Sequence, residues 1–198
     1  MKELEYLRKI KSVTFATVEN GLPRARIADV MLIENNIIYF TTARGKSFYR
    51  QLLENKYVAL VGMDKTYKTI RVSGPVKMVD RSYVDKIFEA NPMMNDLYEG
   101  EKRDILDAFC IDKGVGEIFD LSVVPPKRER FAFGGEDIIP VGYKITDKCI
   151  GCGICKESCP ESAISEGRIY KIDTSICLEC GRCYKVCPNG AIELPKLF

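Results

Sequence analysis

The chain has 198 residues, 46% of them hydrophobic, room for one larger domain or for an ordinary domain joined to a small one. Thirty Lys and Arg against 28 Asp and Glu leave a formal net charge of +2, which gives no footing to nucleic acid or an anionic membrane as the main partner. Histidine is absent, and with it the commonest general base, the usual proximal haem ligand and every His-containing zinc site.

In chain order, residues 1–12 alternate charges with Leu4, Leu7 and Ile10. That pattern predicts a short amphipathic helix rather than the apolar core of a secretory signal. No run of about 18 apolar residues occurs, so no membrane span is expected. Residues 13–19 are predicted as a strand, and Asn20-Gly21 behind them is a strong hairpin signal. A second strand is expected over 24–33, a turn at Glu34-Asn35-Asn36 and a third strand over 37–42. A helix follows over about 46–54, with Phe48, Leu52 and Leu53 on one face. Strands are expected over 57–63 and 69–79, the latter broken by Gly74-Pro75. Helical patterning runs through 82–109, interrupted at Asn91-Pro92. Two more strands are placed near 117–123 and 128–132. Many short strands with tight turns predict an antiparallel barrel, which removes exposed sheet edges by closing. The fold class is therefore mainly β with helices, over residues 1–133. The charged run from Pro125 to Arg130 reads as a solvated connection, with Arg128 and Arg130 as weaker candidates for a ligand. Gly134-Gly135, Pro140 and Gly142 mark 134–143 as a linker.

Eight of the nine cysteines fall in the last fifty residues. With no secretory signal visible, a reducing cytoplasm is expected, where thiols are free to bind metal. The tail, 144–198, is an internal repeat with a 28-residue offset. Cys149, Cys152, Cys155, Cys159 and Pro160 recur as Cys177, Cys180, Cys183, Cys187 and Pro188. Each half reads C-x2-C-x2-C-x3-C-P, the run of bacterial proteins that hold two [4Fe–4S] clusters. The C-x2-C-x2-C loop curls so that three thiolates point into one pocket. The fourth cysteine is carried away by the proline-led turn and caps the cluster of the other half. One cluster is thus expected on Cys149, Cys152, Cys155 and Cys187, the other on Cys177, Cys180, Cys183 and Cys159. The competing reading is structural zinc on paired C-x2-C motifs. The third cysteine at x2, the fourth at x3, the proline and the full duplication argue against it. Residues 146–194 resemble a clostridial-type 2[4Fe–4S] ferredoxin, which implies a small α+β ferredoxin-like domain. Free ferredoxins resemble one another in being acidic. Here the tail carries a net +1 from its side chains, or about −3 with two clusters each adding about −2. It reads as a tethered module serving its own N-terminal domain. The ninth cysteine, Cys110, reads as a small buried side chain.

Clusters carry one electron each, so a partner that pairs electrons is expected, and flavin is the commonest. Arg24 and Arg26 occupy alternate positions of a strand and share a face. Thr41 and Thr42 end the next strand, and Arg44-Gly45-Lys46-Ser47 leads into a helix. A helix start with a lysine, a hydroxyl and free backbone N–H groups is a ready anion site, to which a neighbouring arginine adds bidentate contact. This order of elements resembles the pyridoxamine 5′-phosphate oxidase-like, FMN-binding split barrel, in the style of its nitroimidazole-reductase-like branch. The resemblance implies that Arg26, Lys46 and Ser47 hold the FMN phosphate and that Thr41 and Thr42 line the same pocket. It further implies that the backbone of Ile27, Ala28 and Asp29 runs beside the flavin ring, with Thr69 as a polar position facing it. It also implies a homodimer. Where the family carries a substrate-reading C-terminal segment, this chain has the cysteine tail. The histidine that nitroimidazole reductases share near the flavin is missing.

The resulting expectation is a flavin-dependent oxidoreductase. The clusters exchange electrons with FMN, and FMN reduces or oxidises a small molecule. An external electron-transfer protein is the expected source or sink. The rivals are an electron carrier that docks another enzyme, a redox-sensing binding protein without turnover, and the same enzyme built on deazaflavin F420.

Overall fold

The computed structural model describes residues 1–138 and 142–194; part of the expected linker, Pro140 included, and the last four residues lie outside the described residues. The chain divides into two compact units. The first is Met1–Ile118 with Arg130–Ile138, and the second is Phe119–Glu129 with Ile139–Phe198. The second unit therefore holds a segment that lies ahead of the expected linker in sequence.

The first unit opens with helix α1 (Lys2–Ile10), which buries Leu4 and Leu7. Strands β1 (Ser12–Glu19) and β2 (Leu22–Asp29) form a hairpin in full antiparallel register, from Ser12 opposite Asp29 to Glu19 opposite Leu22. Its turn uses Asn20 at φ 52° and Gly21 at φ 75°, the pair of left-handed residues that a two-residue hairpin matched to strand twist demands. Then come β3 (Leu32–Glu34), β4 (Ile37–Ala43), α2 (Ser47–Asn55), β5 (Tyr57–Met63), β6 (Lys68–Pro75) and β7 (Lys77–Met78). Helices α3 (Ser82–Ala90) and α4 (Met93–Leu97) and a 3-10 turn at Gly100–Ile105 lead to β8 (Leu106–Ile111), β9 (Gly114–Asp120) and β10 (Lys127–Phe133).

Two sheets result. One has six strands in the order β10-β9-β6-β5-β1-β2, and the other has four, β3-β4-β8-β7. Phe15, Leu60 and Val72 of the first pack with Ile38, Phe40, Phe109 and Ile111 of the second in one apolar core, closed by Leu4 and Leu7. The Phe15 and Phe40 rings lie 4.8 Å apart, and Phe40 and Phe109 5.9 Å apart. The opposite face of the four-stranded sheet presents Tyr39, Leu106, Ala108 and Cys110 to Val84, Ile87 and Phe88 of α3. This is the antiparallel barrel expected from the strand pattern, in the split form that the resemblance implies.

Three local expectations are corrected. The strand expected over 24–33 breaks at Val30 and Met31, because other groups take their backbone hydrogen bonds. Arg8 Nη1 donates to the Val30 carbonyl at 2.8 Å, and Asn91 Nδ2 donates to the Met31 carbonyl at 2.8 Å. The break expected at Gly74-Pro75 in the strand over 69–79 falls one residue later, at Val76, whose N–H turns to the Lys56 carbonyl. The third is the last stretch of the region read as helical: Leu106–Ile111 is strand β8. Phe109 and Ile111 enter one core and Leu106, Ala108 and Cys110 the other. A strand covered on both faces shows no alternation by which to recognise it.

In the second unit, β11 (Lys144–Ile145) pairs with β14 (Ile192–Glu193), and β12 (Ile164–Ser165) pairs with β13 (Lys171–Ile172). Short helices α5 (Ile154–Glu157) and α6 (Arg182–Val186) repeat the same place in each half. Among the described residues its core is Ile145, Cys155, Ile164, Tyr170, Cys183 and Ile192. Two of those six are cysteines of the repeat. The run from Pro125 to Arg130 is not a solvated connection throughout. The Arg128 and Arg130 side chains are 8% and 11% exposed and pair with Glu179 and Glu117.

Candidate functional site

The first unit carries an open groove lined by Arg26, Ile27, Ala28, Thr41, Thr42, Lys46, Ser47 and Phe48, with about 720 Å³ of empty space including its mouth. Strand β2 brings the first three, the end of β4 the two threonines, and the start of α2 the rest. Lys46 stands at the N-cap with extended backbone, and no side chain caps the helix. Tyr49 N–H donates to the Lys46 carbonyl at 3.1 Å, which leaves the Ser47 and Phe48 N–H groups for a ligand at the positive end of the helix dipole.

Arg26 is held in place from behind. Its Nη1 donates to Thr17 Oγ1 and its Nη2 to Gln51 Oε1, both at 2.6 Å. Thr17 in turn donates to Gln51 Oε1 at 2.6 Å. The guanidinium stacks over the Phe48 ring at 4.4 Å. Burial draws its pKa down from the ordinary value, against the pull of Glu19. The turn ahead of α2 is braced by a second network. Arg44 donates through Nε and Nη2 to the two Asp107 oxygens, each at 2.9 Å, and Tyr49 Oη donates to Asp107 at 2.9 Å. These bonds, Arg44 first, hold the Asp107 carboxyl below the usual carboxylate range despite partial burial.

Seven of the nine residues expected at the flavin thus meet in one groove. Asp29 and Thr69 do not line it. Asp29 accepts from Ser12 Oγ at 2.6 Å and pairs with Lys11 at 3.8 Å, and Thr69 sits opposite Met63 in the β5–β6 pair. Thr17, Gln51 and Phe48 were missed as site residues. Gln51 left a signal, since it falls on the apolar face of α2 between Phe48 and Leu52, where a polar side chain needs a buried partner. The groove fits a flavin phosphate in its donor chemistry: a guanidinium, an ammonium, a hydroxyl and uncapped amides.

The second unit carries two further cavities. One, with about 340 Å³ of empty space including its mouth, is lined by Cys149, Cys152, Cys155 and Cys187 with Ile145, Tyr170, Ala191 and Ile192. The other, with about 350 Å³ counted the same way, is lined by Cys159, Cys177, Cys180 and Cys183 with Tyr143, Ala163, Ile164 and Ile172. Each cavity gathers three cysteines of one half and the fourth of the other. Among the described residues no three Cys, Asp or Glu groups converge on one metal ion. The thiols stand round a space instead, which suits a cubane. Backbone N–H groups of Ala163, Glu179 and Ala191 point at Cys159, Cys177 and Cys187 sulfurs at 3.3, 3.4 and 3.3 Å. Burial raises the Cys177 thiol pKa and the Glu179 and Cys159 charges add to it, opposed by the Glu179 amide and, more weakly, by the Arg128 charge. It pushes Cys183 up to about 11. Metal binding must overcome that cost by binding the thiolates directly.

The comparisons bear on both units. Residues 2–111 match the pyridoxamine 5′-phosphate oxidase family model, and residues 148–191 match the 4Fe-4S dicluster domain. A ferredoxin of Butyribacterium methylotrophicum is 62% identical over 34 residues, which are 17% of this chain and 62% of that protein. A ferredoxin of Clostridium pasteurianum is 50% identical over 34 residues, 61% of its length. The chain thus spans under two thirds of the curated relatives it matches. Among solved structures, a NimC/NimA family protein from Clostridium acetobutylicum is 26% identical, with TM-score 0.59, over 67% of this chain and 90% of that one. PhzG from Burkholderia lata, solved with tetrahydrophenazine-1-carboxylic acid, has TM-score 0.53 at 17% identity over 68% of this chain and 82% of its own. At that identity the likeness concerns the fold alone. A flavin-type split barrel and an iron–sulfur ferredoxin region in one chain give it a redox and electron-transfer role. No helix among the described residues is long and apolar enough to cross a membrane.

Proposed function

This chain belongs to the pyridoxamine 5′-phosphate oxidase family, and on that premise we propose that it is an FMN-dependent oxidoreductase wired to two [4Fe–4S] clusters of its own. When bound, the flavin would exchange single electrons with the clusters and an electron pair with a small-molecule acceptor or donor. The observation that carries this reading is the groove, where Arg26, Lys46, Ser47 Oγ and the uncapped start of α2 converge.

In this proposal Arg26, Lys46 and Ser47 bind the phosphate. Thr17, Gln51 and Phe48 orient Arg26, and Thr41 and Thr42 line the pocket. The β2 backbone at Ile27 and Ala28 lies beside the ring. Asp29 and Thr69 are proposed to act only through the strands that carry them. Ile27 is 69% exposed beside the open groove. With no histidine in the chain, a proton for the acceptor comes from solvent, a tyrosine or a lysine. The eight cysteines Cys149, Cys152, Cys155, Cys187, Cys177, Cys180, Cys183 and Cys159 hold the clusters. We further propose a homodimer in a reducing cytoplasm, supplied or drained by an external electron-transfer protein.

The test is rapid mixing under strict anaerobiosis. Holoprotein with its clusters reduced by dithionite is followed at flavin and cluster wavelengths. Cluster oxidation matched by flavin reduction supports the proposal. Clusters and flavin that never exchange electrons overturn it, and release of F420 in place of FMN replaces the cofactor while keeping the enzyme.

A further inference from the structure

We propose that an oxidant takes iron from the first cysteine set before the second, through an open edge formed by Ile150, Gly151 and Cys152, and that Cys152 is the ligand set free. The inference rests on the two-cluster reading and deepens it.

The two halves of the repeat differ in the cover they give their exposed cysteine. Cys152 and Cys180 occupy the same place, 28 residues apart. Each is the exposed member of its set, with one companion buried and two half-buried. The backbone follows the same path around both, at φ 70° for Gly151 and 56° for Glu179, and 81° for Gly153 and 75° for Gly181. The side chains do not match. Two residues ahead of the exposed cysteine, Ile150 and Leu178 each line their own cavity. Ile150 is 66% exposed, whereas Leu178 is half-buried. One residue ahead, Gly151 is exposed, and a Cβ there would meet nothing within 4 Å. Its counterpart Glu179 is half-buried, with its carboxylate held 3.0 Å from Arg128. One residue behind, Gly153 is half-buried and Gly181 is buried. The Tyr143 hydroxyl closes to 2.8 Å of where a Gly181 Cβ would stand, while the Tyr170 hydroxyl keeps 3.4 Å from the same point at Gly153. At all three positions the first set is the more open.

The chemistry follows from access. The shell of side chains around a metal site controls what reaches it from solvent, and oxidation selects exposed thiolates. An oxidised [4Fe–4S]²⁺ core gives one electron to a one-electron oxidant and one Fe²⁺ to water, and a [3Fe–4S]⁺ core remains. The thiolate released from that iron takes a proton from solvent. In the first set the thiolate that solvent reaches is Cys152. Cys149, Cys155 and Cys187 stay ligated. Cys187 comes from the other half of the repeat, so the two halves remain tied through metal. The step is therefore reversible by Fe²⁺ and one electron, a break in the electron path that an oxidant opens and iron with a reductant repairs.

The experiment is a titration of anaerobic holoprotein with ferricyanide, its iron counted at the start. Electron paramagnetic resonance follows the [3Fe–4S]⁺ signal. Iodoacetamide then blocks freed thiols in the native protein, and peptide mass spectrometry locates them; Cys110, 2% exposed, stays unlabelled. Iron should fall from about eight to about seven per chain as the signal appears, with Cys152 alkylated ahead of Cys180. Fe²⁺ with dithionite should restore about eight irons. Leu178→Ala, which thins the wall of the second cavity, should bring Cys180 alkylation up to the rate at Cys152. Any cysteine other than Cys152 freed first, or Cys152 and Cys180 freed together, overturns the proposal in the wild type. Loaded Leu178→Ala protein whose second set resists as before overturns it too. If that variant fails to load iron, the wild-type order alone decides. Starting protein with no clusters in any form would bring down the two-cluster reading itself, and the initial iron count separates that result from the others.

Discussion

The barrel and the cysteine tail solve the same problem in different ways. The barrel buries rings and branched side chains from two sheets, with Phe15, Phe40 and Phe109 fully enclosed. Among its described residues the tail has four strands of two residues each, two helices of four and five residues, and a core in which cysteines stand in for aliphatic side chains. A core that small contributes too little to offset chain entropy, and metal ligation makes up the difference. On the two-cluster reading, iron would be a structural element of the second unit, whereas the first has a large apolar core of its own.

The sharpest way to break that contrast is to remove the iron. Chelation under reducing conditions should unfold the second unit completely and leave the first intact. Limited proteolysis reads this out as cuts throughout 142–194 with residues 1–118 preserved. The reverse experiment is a cavity in the barrel. Phe109→Ala should cost about 3–5 kcal/mol in denaturant unfolding of the barrel, while cluster absorbance at low denaturant stays unchanged. The groove offers a smaller effect. Arg26→Ala should weaken FMN binding by about 1.5–3 kcal/mol, the range for a charged hydrogen bond, with no change in iron content. Titration of the flavin-free protein with FMN measures it. Gln51→Leu removes one orienting partner of Arg26 and should cost about 1 kcal/mol of FMN affinity by the same titration.

The smallest effect is set by pH. The folded-state pKa of Asp107 lies below its ordinary value of 3.8, chiefly through Arg44. Its contribution is therefore present above about pH 4 and lost as pH falls through the lowered folded pKa. Hydrogen exchange of the Arg44–Lys46 amides, corrected for intrinsic rate, should speed up over that window in wild type. Asp107→Asn should exchange faster already at pH 6 and show little further change.

What the sequence discloses about the two units differs for physical reasons. Ligand spacing in the tail is dictated by covalent reach round a cubane, so both cysteine sets could be written down from spacing alone, and the two cavities gather the same two sets. In the barrel, strands with one wet face alternate and were legible, as β5 was to the residue. Strand β8 was not, because its two faces enter two cores and, Asp107 apart, every one of its residues is apolar. Most of the groove was legible because Thr41, Thr42, Lys46 and Ser47 lie around a helix start, while Arg26, in the middle of β2, was carried by the family resemblance. Thr17 and Gln51 were not, since their role is a buried hydrogen bond between elements far apart in sequence. Arg128 was misread for the same reason. A Pro-Pro-Lys-Arg-Glu-Arg run looks solvated, and only the fold brings its arginine to a glutamate of the cysteine repeat.

The central claim is that one chain holds a flavin in its barrel and two clusters in its tail. Anaerobically purified protein, acid-released, with flavin identified by mass and iron counted in the same sample, tests it most directly. The account predicts FMN near one per chain together with about eight irons. Eight irons with neither FMN nor deazaflavin, from protein whose groove residues are intact, would contradict it.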